Sequence, residues 1–280
     1  MVTLSRSGAG EAVACDLLDP DATRRAVRDA APDVVFHLAA LASVAQSWEQ
    51  PGETLRQNPA MTLHVLEAVR QERPEARVVA VASGELYGPP ESLPVDERAL
   101  LRPQNPYAVS KAAADLLAGL YHEAHGLHVV RARAFNHAGP GQQRIYVVSS
   151  LSRQLAEAAV AGRSPVRIVT GNPDARRDFT DVRDVVRAYR SLAAAAPGVY
   201  NVCSGRSAGV REILALLRDL GNGEIEHVVE ERLVRAHEVM DVRGSHARLS
   251  AETGWEPEIP FEQTVADTFA WWREELGGRV

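Results

Sequence analysis

Apolar runs without polar alternation alternate with helix-like segments along the first half of the chain. The runs at residues 34–40, 77–83 and 128–133 are rich in Val and Ala, which is typical of strands buried on both faces. Helices are predicted between them, at about residues 51–73 and 105–126. This alternation of strands and helices predicts an α/β fold with a parallel, doubly wound sheet.

The segment before this alternation is less regular. Short strands are predicted at residues 2–4 and 12–17, followed by an amphipathic helix over residues 19–30. Gly8 and Gly10 lie between the two strands, too close to the second one to leave space for a dinucleotide-binding helix. We therefore interpret both residues as ordinary turn glycines.

Composition and charge narrow the class of protein. The 280 residues allow one large domain or two smaller ones, and 45% hydrophobic with 24% charged residues is ordinary for a globular protein. The net charge of −6 gives no reason to expect nucleic-acid binding, and no apolar run has membrane-spanning length. Cys15 and Cys203 form no metal-binding pattern, so we expect a reduced, cytoplasmic protein without a metal.

A Tyr-x-x-x-Lys pattern opens the helix predicted at residues 105–126. Asn105 is a suitable N-cap and Pro106 suits the first helical position. Tyr107 and Lys111 lie four residues apart, on one face of the helix. An ammonium beside a phenol would lower the pKa of the phenol and give a proton donor and acceptor. A surface tyrosine and a solvated lysine remain the alternative on this pattern alone.

Polar side chains follow two of the predicted strands. Ser83 closes the run at residues 77–83, and Asn136 follows the run at residues 128–133. In doubly wound sheets, ligands bind beyond the carboxyl ends of the strands. We therefore expect Ser83, Tyr107, Lys111 and Asn136 to converge on one crevice.

Ser83 followed by Tyr107-x-x-x-Lys111 resembles the short-chain dehydrogenase/reductase superfamily, and the C-terminal half resembles its extended branch, which acts on nucleotide sugars. Residues 133–142 (RAFNHAGPGQ) and 171–185 (GNPDARRDFTDVRDV) look like segments of GDP-mannose dehydratases and GDP-4-keto-6-deoxymannose reductases. Residues 200–205 (YNVCSG) and 254–257 (GWEP) are similar too. Together these segments extend the resemblance over nearly the whole chain.

The resemblance implies two domains and a homodimer. A Rossmann-like dinucleotide-binding domain would comprise residues 1–140 and 178–205. A smaller α/β domain that binds the sugar nucleotide would comprise residues 141–177 and 206–280.

The resemblance also implies roles for individual residues. Lys111 would hold the nicotinamide ribose, Tyr107 would exchange a proton with the sugar C4 oxygen, and Ser83 would hydrogen-bond that oxygen. Arg6 would suit a 2′-phosphate and so favours NADP over NAD. Further cofactor contacts would come from Asp16, Leu17, Leu38, Ala39 and Ala40, and substrate contacts from Asn136, Arg177, Arg235 and Glu238.

Glu85 bears on the type of reaction. In the dehydratases a carboxylate at this spacing removes a proton from C5 of the 4-keto intermediate, whereas the Ser-x-acid pattern of Ser83-Gly84-Glu85 looks more like the reductases. We therefore expect a 4-reductase of GDP-4-keto-6-deoxy-D-mannose. A GDP-mannose 4,6-dehydratase, an epimerase and a non-catalytic protein that binds sugar nucleotides remain alternatives.

One departure from the family pattern concerns the beginning of the chain. The family starts with a strand, a Gly-x-x-Gly-x-x-Gly turn and a helix, whereas this sequence starts where the second strand would be. Without the central strand two facing sheet edges should be unpaired, and the cofactor pyrophosphate should lack its usual site, so NADP is expected to bind weakly or not at all. A wrong start or truncation, re-pairing of the sheet, and a relative that binds no dinucleotide remain open explanations.

Overall fold

The computed structural model describes residues 1–221, 224–234 and 239–277. The strands are β1 (Leu4–Ser5), β2 (Val13–Ala14), β3 (Val34–His37), β4 (Arg77–Ser83), β5 (His128–Ala134), β6 (Asn136–Ala138), β7 (Val166–Thr170), β8 (Arg176–Asp181), β9 (Gly198–Val202), β10 (Ser207–Gly209), β11 (Ile225–Val229) and β12 (Asp241–Val242). The helices are α1 (Pro20–Ala30), α2 (Val44–Glu49), α3 (Pro51–Glu72), α4 (Pro106–His125), α5 (Val147–Val160), α6 (Val182–Leu192), α7 (Val210–Gly221), α8 (Ala247–Thr253) and α9 (Phe261–Gly277).

The central sheet has the strand order β3-β4-β5-β9, and every pair in it is parallel. Its register aligns Ser83 with Ala134 and Ala134 with Val202, so these strands end at the same edge. Helices α3 and α4 pack on one face, where buried residues of β4 and β5 meet them. The predicted α/β class with a parallel sheet is therefore confirmed.

Strands β1 and β2 form a separate parallel pair. Within the described residues, β1 pairs only with β2 and β3 pairs only with β4, so no strand joins the two sheets. Contact with the rest of the molecule runs through α1, which packs on α3, and through a 2.7 Å hydrogen bond between His64 Nδ1 and the Leu17 carbonyl. The expected unpaired edges are present, and the re-pairing considered from the sequence is not formed.

The second half of the chain builds two smaller sheets. Strand β8 lies at the centre of one of them, paired with β6, β10 and β12, and β7 pairs with β11 in the other. Helices α5, α7 and α9 enclose an apolar core that includes Leu151, Ile213 and Val265. Through β6, which follows β5 directly, this region is joined to the carboxyl end of the central sheet.

The predicted helices are close to those observed, but two strands are shorter. The run at residues 34–40 is a strand only to His37, and the run at residues 12–17 only over Val13–Ala14. Pairing with β4 ends at His37, and the Asn58 side chain binds both the N–H and the carbonyl of Leu41 in the segment that follows. Among the helices of the described ranges, none combines the length and the apolar composition that a membrane span requires.

Candidate active site

Helix α4 carries Tyr107 in its first turn and Lys111 one turn later. Its N-terminus is capped by Asn105, whose Oδ1 accepts a hydrogen bond from Ala108 N at 2.8 Å, and its C-terminus by Gly126 in the left-handed conformation. Lys111 is only 6% exposed, and its Nζ donates a hydrogen bond to the Val81 carbonyl of β4. The helix thus holds its lysine against the adjacent strand.

The side chain of Ser83 lies within interaction range of the Tyr107 hydroxyl. The pKa of Tyr107 is raised to about 12, mainly by burial and also by the Glu85 charge, while the interaction with Ser83 opposes the shift. The prediction from the sequence that Lys111 lowers this pKa is therefore wrong. The physical reason is that the Lys111 ammonium is directed to the Val81 carbonyl, so burial dominates at the phenol.

The pKa that burial lowers is that of Lys111 itself, to about 8, although the Asp115 carboxylate opposes this shift. Next to it, burial lowers the pKa of His37 to about 4, and the Lys111 charge adds to the effect. His37 is neutral at pH 7, and its Nε2 lies 3.0 Å from Thr62 Oγ1. Burial therefore brings the pKa of Lys111 closer to neutral pH.

Ser83 and Glu85 lie on a tight turn after β4. Ser83 Oγ accepts a hydrogen bond from Glu85 N at 3.2 Å, at the start of the short 3₁₀ helix Gly84–Tyr87. A Cβ atom at Gly84 would lie 2.9 Å from the Phe135 ring, so only glycine fits between them without a shift. The close contact with Phe135 thus restrains the position of the turn that carries Ser83 and Glu85.

Four of the predicted site residues line one cleft at the carboxyl end of the central sheet. They are Ser83, Glu85, Asn136 and Arg177, and Tyr107 is joined to them through Ser83. Arg177 lies on β8, and its Nη1 donates to the Arg176 and Val239 carbonyls at 2.9 and 2.8 Å. The structure therefore brings these residues together, and it places a guanidinium in the wall of the cleft.

The next residue along β8, Asp178, is a buried carboxylate that sequence reasoning missed. It accepts hydrogen bonds from the backbone N–H groups of Ser204, Gly205 and Gly244 at 2.8, 2.9 and 3.1 Å. Burial raises its pKa, and these hydrogen bonds oppose the shift. Asp178 thereby ties three segments together behind Arg177.

The residues predicted to contact the cofactor lie elsewhere. Arg6 follows β1, Asp16 and Leu17 follow β2, and Leu38, Ala39 and Ala40 follow β3. All six therefore lie beyond the carboxyl ends of strands, and the first three belong to the separate β1–β2 pair. Arg235 and Glu238, predicted to bind the substrate, are outside the described residues.

Asn58 and Ser110 form a buried network that the sequence did not suggest. Asn58 Nδ2 donates to Ser110 Oγ at 2.9 Å, and Ser110 Oγ donates to the Tyr107 carbonyl at 2.7 Å. Asn58 also binds Leu41, so the network joins the segment after β3 to α4. The available signal was a mid-helix asparagine, because such a residue is unfavourable in a helix unless its side chain has partners.

The described residues contain no group of three or more His, Cys, Asp or Glu side chains that could hold a metal ion.

Comparison with known proteins identifies the family. The sequence model of the family described as GDP-mannose 4,6 dehydratase matches residues 4–268. The chain belongs to this family.

Individual members of the GDP-mannose 4,6-dehydratase family and its neighbours differ in similarity. The chain is 38% identical to GDP-6-deoxy-D-mannose reductase of Pseudomonas aeruginosa, over 93% of this chain and 86% of the relative. It is 31% identical to GDP-mannose 4,6 dehydratase 1 of Arabidopsis thaliana, over 89% of this chain and 70% of the relative. The solved structure of RMD from Pseudomonas aeruginosa, complexed with NADPH, superimposes with a TM-score of 0.87 at 38% identity, covering 94% of this chain and 88% of that chain.

Proposed function

We propose that this protein is an NADP-dependent reductase that acts on the C4 carbonyl of GDP-4-keto-6-deoxy-D-mannose. The observation that carries the proposal is the cleft at the carboxyl end of the central sheet, which Ser83 and Arg177 line and where Ser83 interacts with Tyr107. The greater identity to a GDP-6-deoxy-D-mannose reductase than to a plant dehydratase supports the choice of reaction.

Tyr107 would supply the proton that this reduction requires. Reduction of a ketone needs a proton for the new hydroxyl, and a phenol with its pKa raised to about 12 carries one at neutral pH. Ser83 would hydrogen-bond the same carbonyl oxygen.

NADPH, when bound, would supply the hydride. Its nicotinamide ribose end fits the residues present, because the small side chains of Ala39 and Ala40 after β3 leave the backbone accessible and Lys111 of α4 is held against the neighbouring β4. Its pyrophosphate end fits less well: β1 is followed in the described chain by a turn and β2, not by a helix N-terminus. We therefore expect the 280-residue chain to bind NADPH weakly, with Arg6 toward the adenosine phosphate, and micromolar binding in a fluorescence titration would contradict this.

The substrate would lie across the cleft. Asn136 would contact the sugar, and the Arg177 guanidinium would bind the diphosphate, for which its geometry is suited. Arg235 and Glu238 are proposed, on the resemblance alone, to bind the nucleotide ribose and diphosphate. We also propose that residues 1–140 and 178–205 form the cofactor domain and residues 141–177 and 206–280 the substrate domain, which the separate apolar core around α5, α7 and α9 supports.

A dehydratase is the second candidate, because Glu85 lines the same cleft and could remove a proton from C5. Incubation with GDP-4-keto-6-deoxy-D-mannose and excess NADPH tests the first proposal, which predicts NADPH consumption and a product heavier by two hydrogens. Incubation with GDP-mannose and NADP tests the second. Formation of a 4-keto-6-deoxy product that Glu85→Gln abolishes would overturn the reductase proposal.

We further propose a homodimer formed through α4. Val109, Ala113, Leu116 and Leu120 follow helical spacing on its outer side, and Leu116 and Leu120 are 59% and 55% exposed. This uncharged stripe would pack against the same stripe of a second copy, which would remove it from water. Light scattering should report a dimer, and Leu116→Glu should convert it to a monomer; a wild-type monomer would refute the arrangement.

The buried free thiols of Cys15 and Cys203 support a reducing, cytoplasmic location.

A further inference from the structure

The side chain of Asn105 makes two hydrogen bonds with the two different ends of its amide. Its Oδ1 accepts from Ala108 N at 2.8 Å and so caps α4. Its Nδ2 donates to Glu85 Oε2 at 3.3 Å. Only an amide among the preferred N-cap side chains offers a fixed acceptor and an NH₂ donor on opposite branches.

The two partners belong to segments that are far apart in the sequence. Glu85 lies two residues after Ser83 on the turn that follows β4, and Asn105 lies two residues before Tyr107 on α4. Ser83 also interacts with Tyr107. The hydrogen bond from Asn105 to Glu85 therefore joins the turn directly to the start of the helix that carries Tyr107.

We propose that Asn105 is a positioning residue that holds the Glu85 carboxylate in the cleft while it caps the helix of Tyr107. This inference rests on the proposed function, since it gives Glu85 an effect on the sugar bound next to Ser83. Glu85 lines the cleft, and its side chain has rotatable bonds that the Asn105 amide restrains. Without the amide donor, the carboxylate samples positions that no longer match the sugar.

Three substitutions separate the cap from the bridge. Asn105→Asp and Asn105→Ser keep an acceptor for Ala108 N and remove the NH₂ donor, whereas Asn105→Ala removes both. We expect the first two to lower the unfolding midpoint in urea only through the lost bridge, and Asn105→Ala to lower it further because the cap is lost as well. The kcat of Asn105→Ser should fall about tenfold, as for a lost hydrogen bond to a charged group. The kcat of Asn105→Asp should fall further, because this change places a second negative charge beside Glu85.

The test of action through Glu85 is a double-mutant cycle. Asn105→Ser should lower kcat in the wild-type background and change it little in the Glu85→Gln background, while KM for the GDP-sugar stays within twofold because Arg177 is untouched. Wild-type kcat in Asn105→Ser, or effects of the two changes on kcat that multiply, would overturn the proposal.

A failure of the proposed function would be recognised separately. If the folded wild-type chain reduces no 4-keto sugar, the same cycle is measured on the urea midpoint, which requires no activity. Unfolding effects of Asn105→Ser and Glu85→Gln that are not additive support the bridge, and additive effects overturn it.

Discussion

The catalytic end of the central sheet and the β1–β2 pair are built in different ways. Strand β4 pairs along all seven of its residues with β5, and it also pairs with β3. The β1–β2 pair has only two residues in each strand, and β2 is exposed along its length. The first region carries the hydroxyl pair and Lys111, and the second carries three of the predicted cofactor residues.

The difference shows which interactions position a site. At the catalytic end, strand pairing, a capped helix and the Gly84–Phe135 contact each restrain the same few side chains. The positions of Arg6 and Asp16 depend on the two residue pairs that join β1 to β2 and on the packing of α1 against α3. We therefore expect a well-defined catalytic cleft and a loosely held adenosine end within one chain.

The largest expected effect is in amide hydrogen exchange. The amides of β4 and β5 should exchange only through global unfolding, at roughly 5–15 kcal/mol, whereas those of β1 and β2 should open locally at a small fraction of this free energy. Native-state exchange followed by NMR or mass spectrometry measures both. Equal protection of β1 and β4 would show that the two regions form one cooperative sheet and would end the comparison.

The next effect tests the catalytic end itself. Tyr107→Phe should lower kcat by about 10²–10⁴-fold, because it removes the proposed proton donor and little else. The free energy of unfolding should change by no more than a typical hydrogen bond, about 1 kcal/mol. Tyr121→Phe is the matched control, since Tyr121 lies on the same helix but donates its hydroxyl proton to Glu67, away from the cleft. Near wild-type turnover in Tyr107→Phe would remove Tyr107 from the acid role.

Local sequence accounts for much of the catalytic end. Asn105, Pro106 and Gly126 predict the bounds of α4, and the apolar run before Ser83 predicts β4, because caps and buried strands are determined by neighbouring residues. The direction of Lys111 could not be predicted in this way. It depends on which carbonyl of another element lies within reach, and for the same reason the pKa of Tyr107 was predicted with the wrong sign.

The outer region was harder to predict for a related reason. Strand length depends on a partner, and the predicted strands that include residues 15–17 and 38–40 end early, without a described strand beside those residues. The gap between the β1–β2 pair and β3 among the described residues was expected from the sequence, through the missing glycine turn. The way in which α1 and α3 hold β1 and β2 near the sheet was not, since it depends on tertiary packing.

The dependence of stability on pH tests β3, the strand at one end of the central sheet. His37 ends β3, and its pKa is lowered to about 4, so the native chain binds the proton less well than the unfolded chain, whose histidine titrates near 6.5. Stability from this group is complete above the unfolded pKa and is lost as the pH falls from 6.5 toward 4, by up to about 3 kcal/mol.

His37→Gln should remove this part of the pH dependence. Urea unfolding between pH 7 and 4 would show it as a difference between the wild type and the variant that shrinks as the pH falls. His125→Gln, at an exposed position at the end of α4, is the control and should leave the wild-type slope unchanged. If the difference in the free energy of unfolding between wild type and His37→Gln does not change with pH, His37 is not held neutral. The carboxyl end of β3 would then be as accessible to solvent as β1.

The smallest effect compares packing at two glycines. Gly84→Ala places a Cβ 2.9 Å from the Phe135 ring, so the turn or the ring must shift, at about 1–3 kcal/mol in the free energy of unfolding. Gly52→Ala, in the first turn of α3, meets no atom within 4 Å and should be neutral or stabilise by about 0.5–1 kcal/mol, since alanine favours the helix. Gly84→Ala and Phe135→Leu together should cost less stability than the sum of the two single changes, because the second removes the ring that the new methyl group meets. If Gly84→Ala is as stable and active as the wild type, the turn adapts freely, and the catalytic end is no more restrained than the β1–β2 pair.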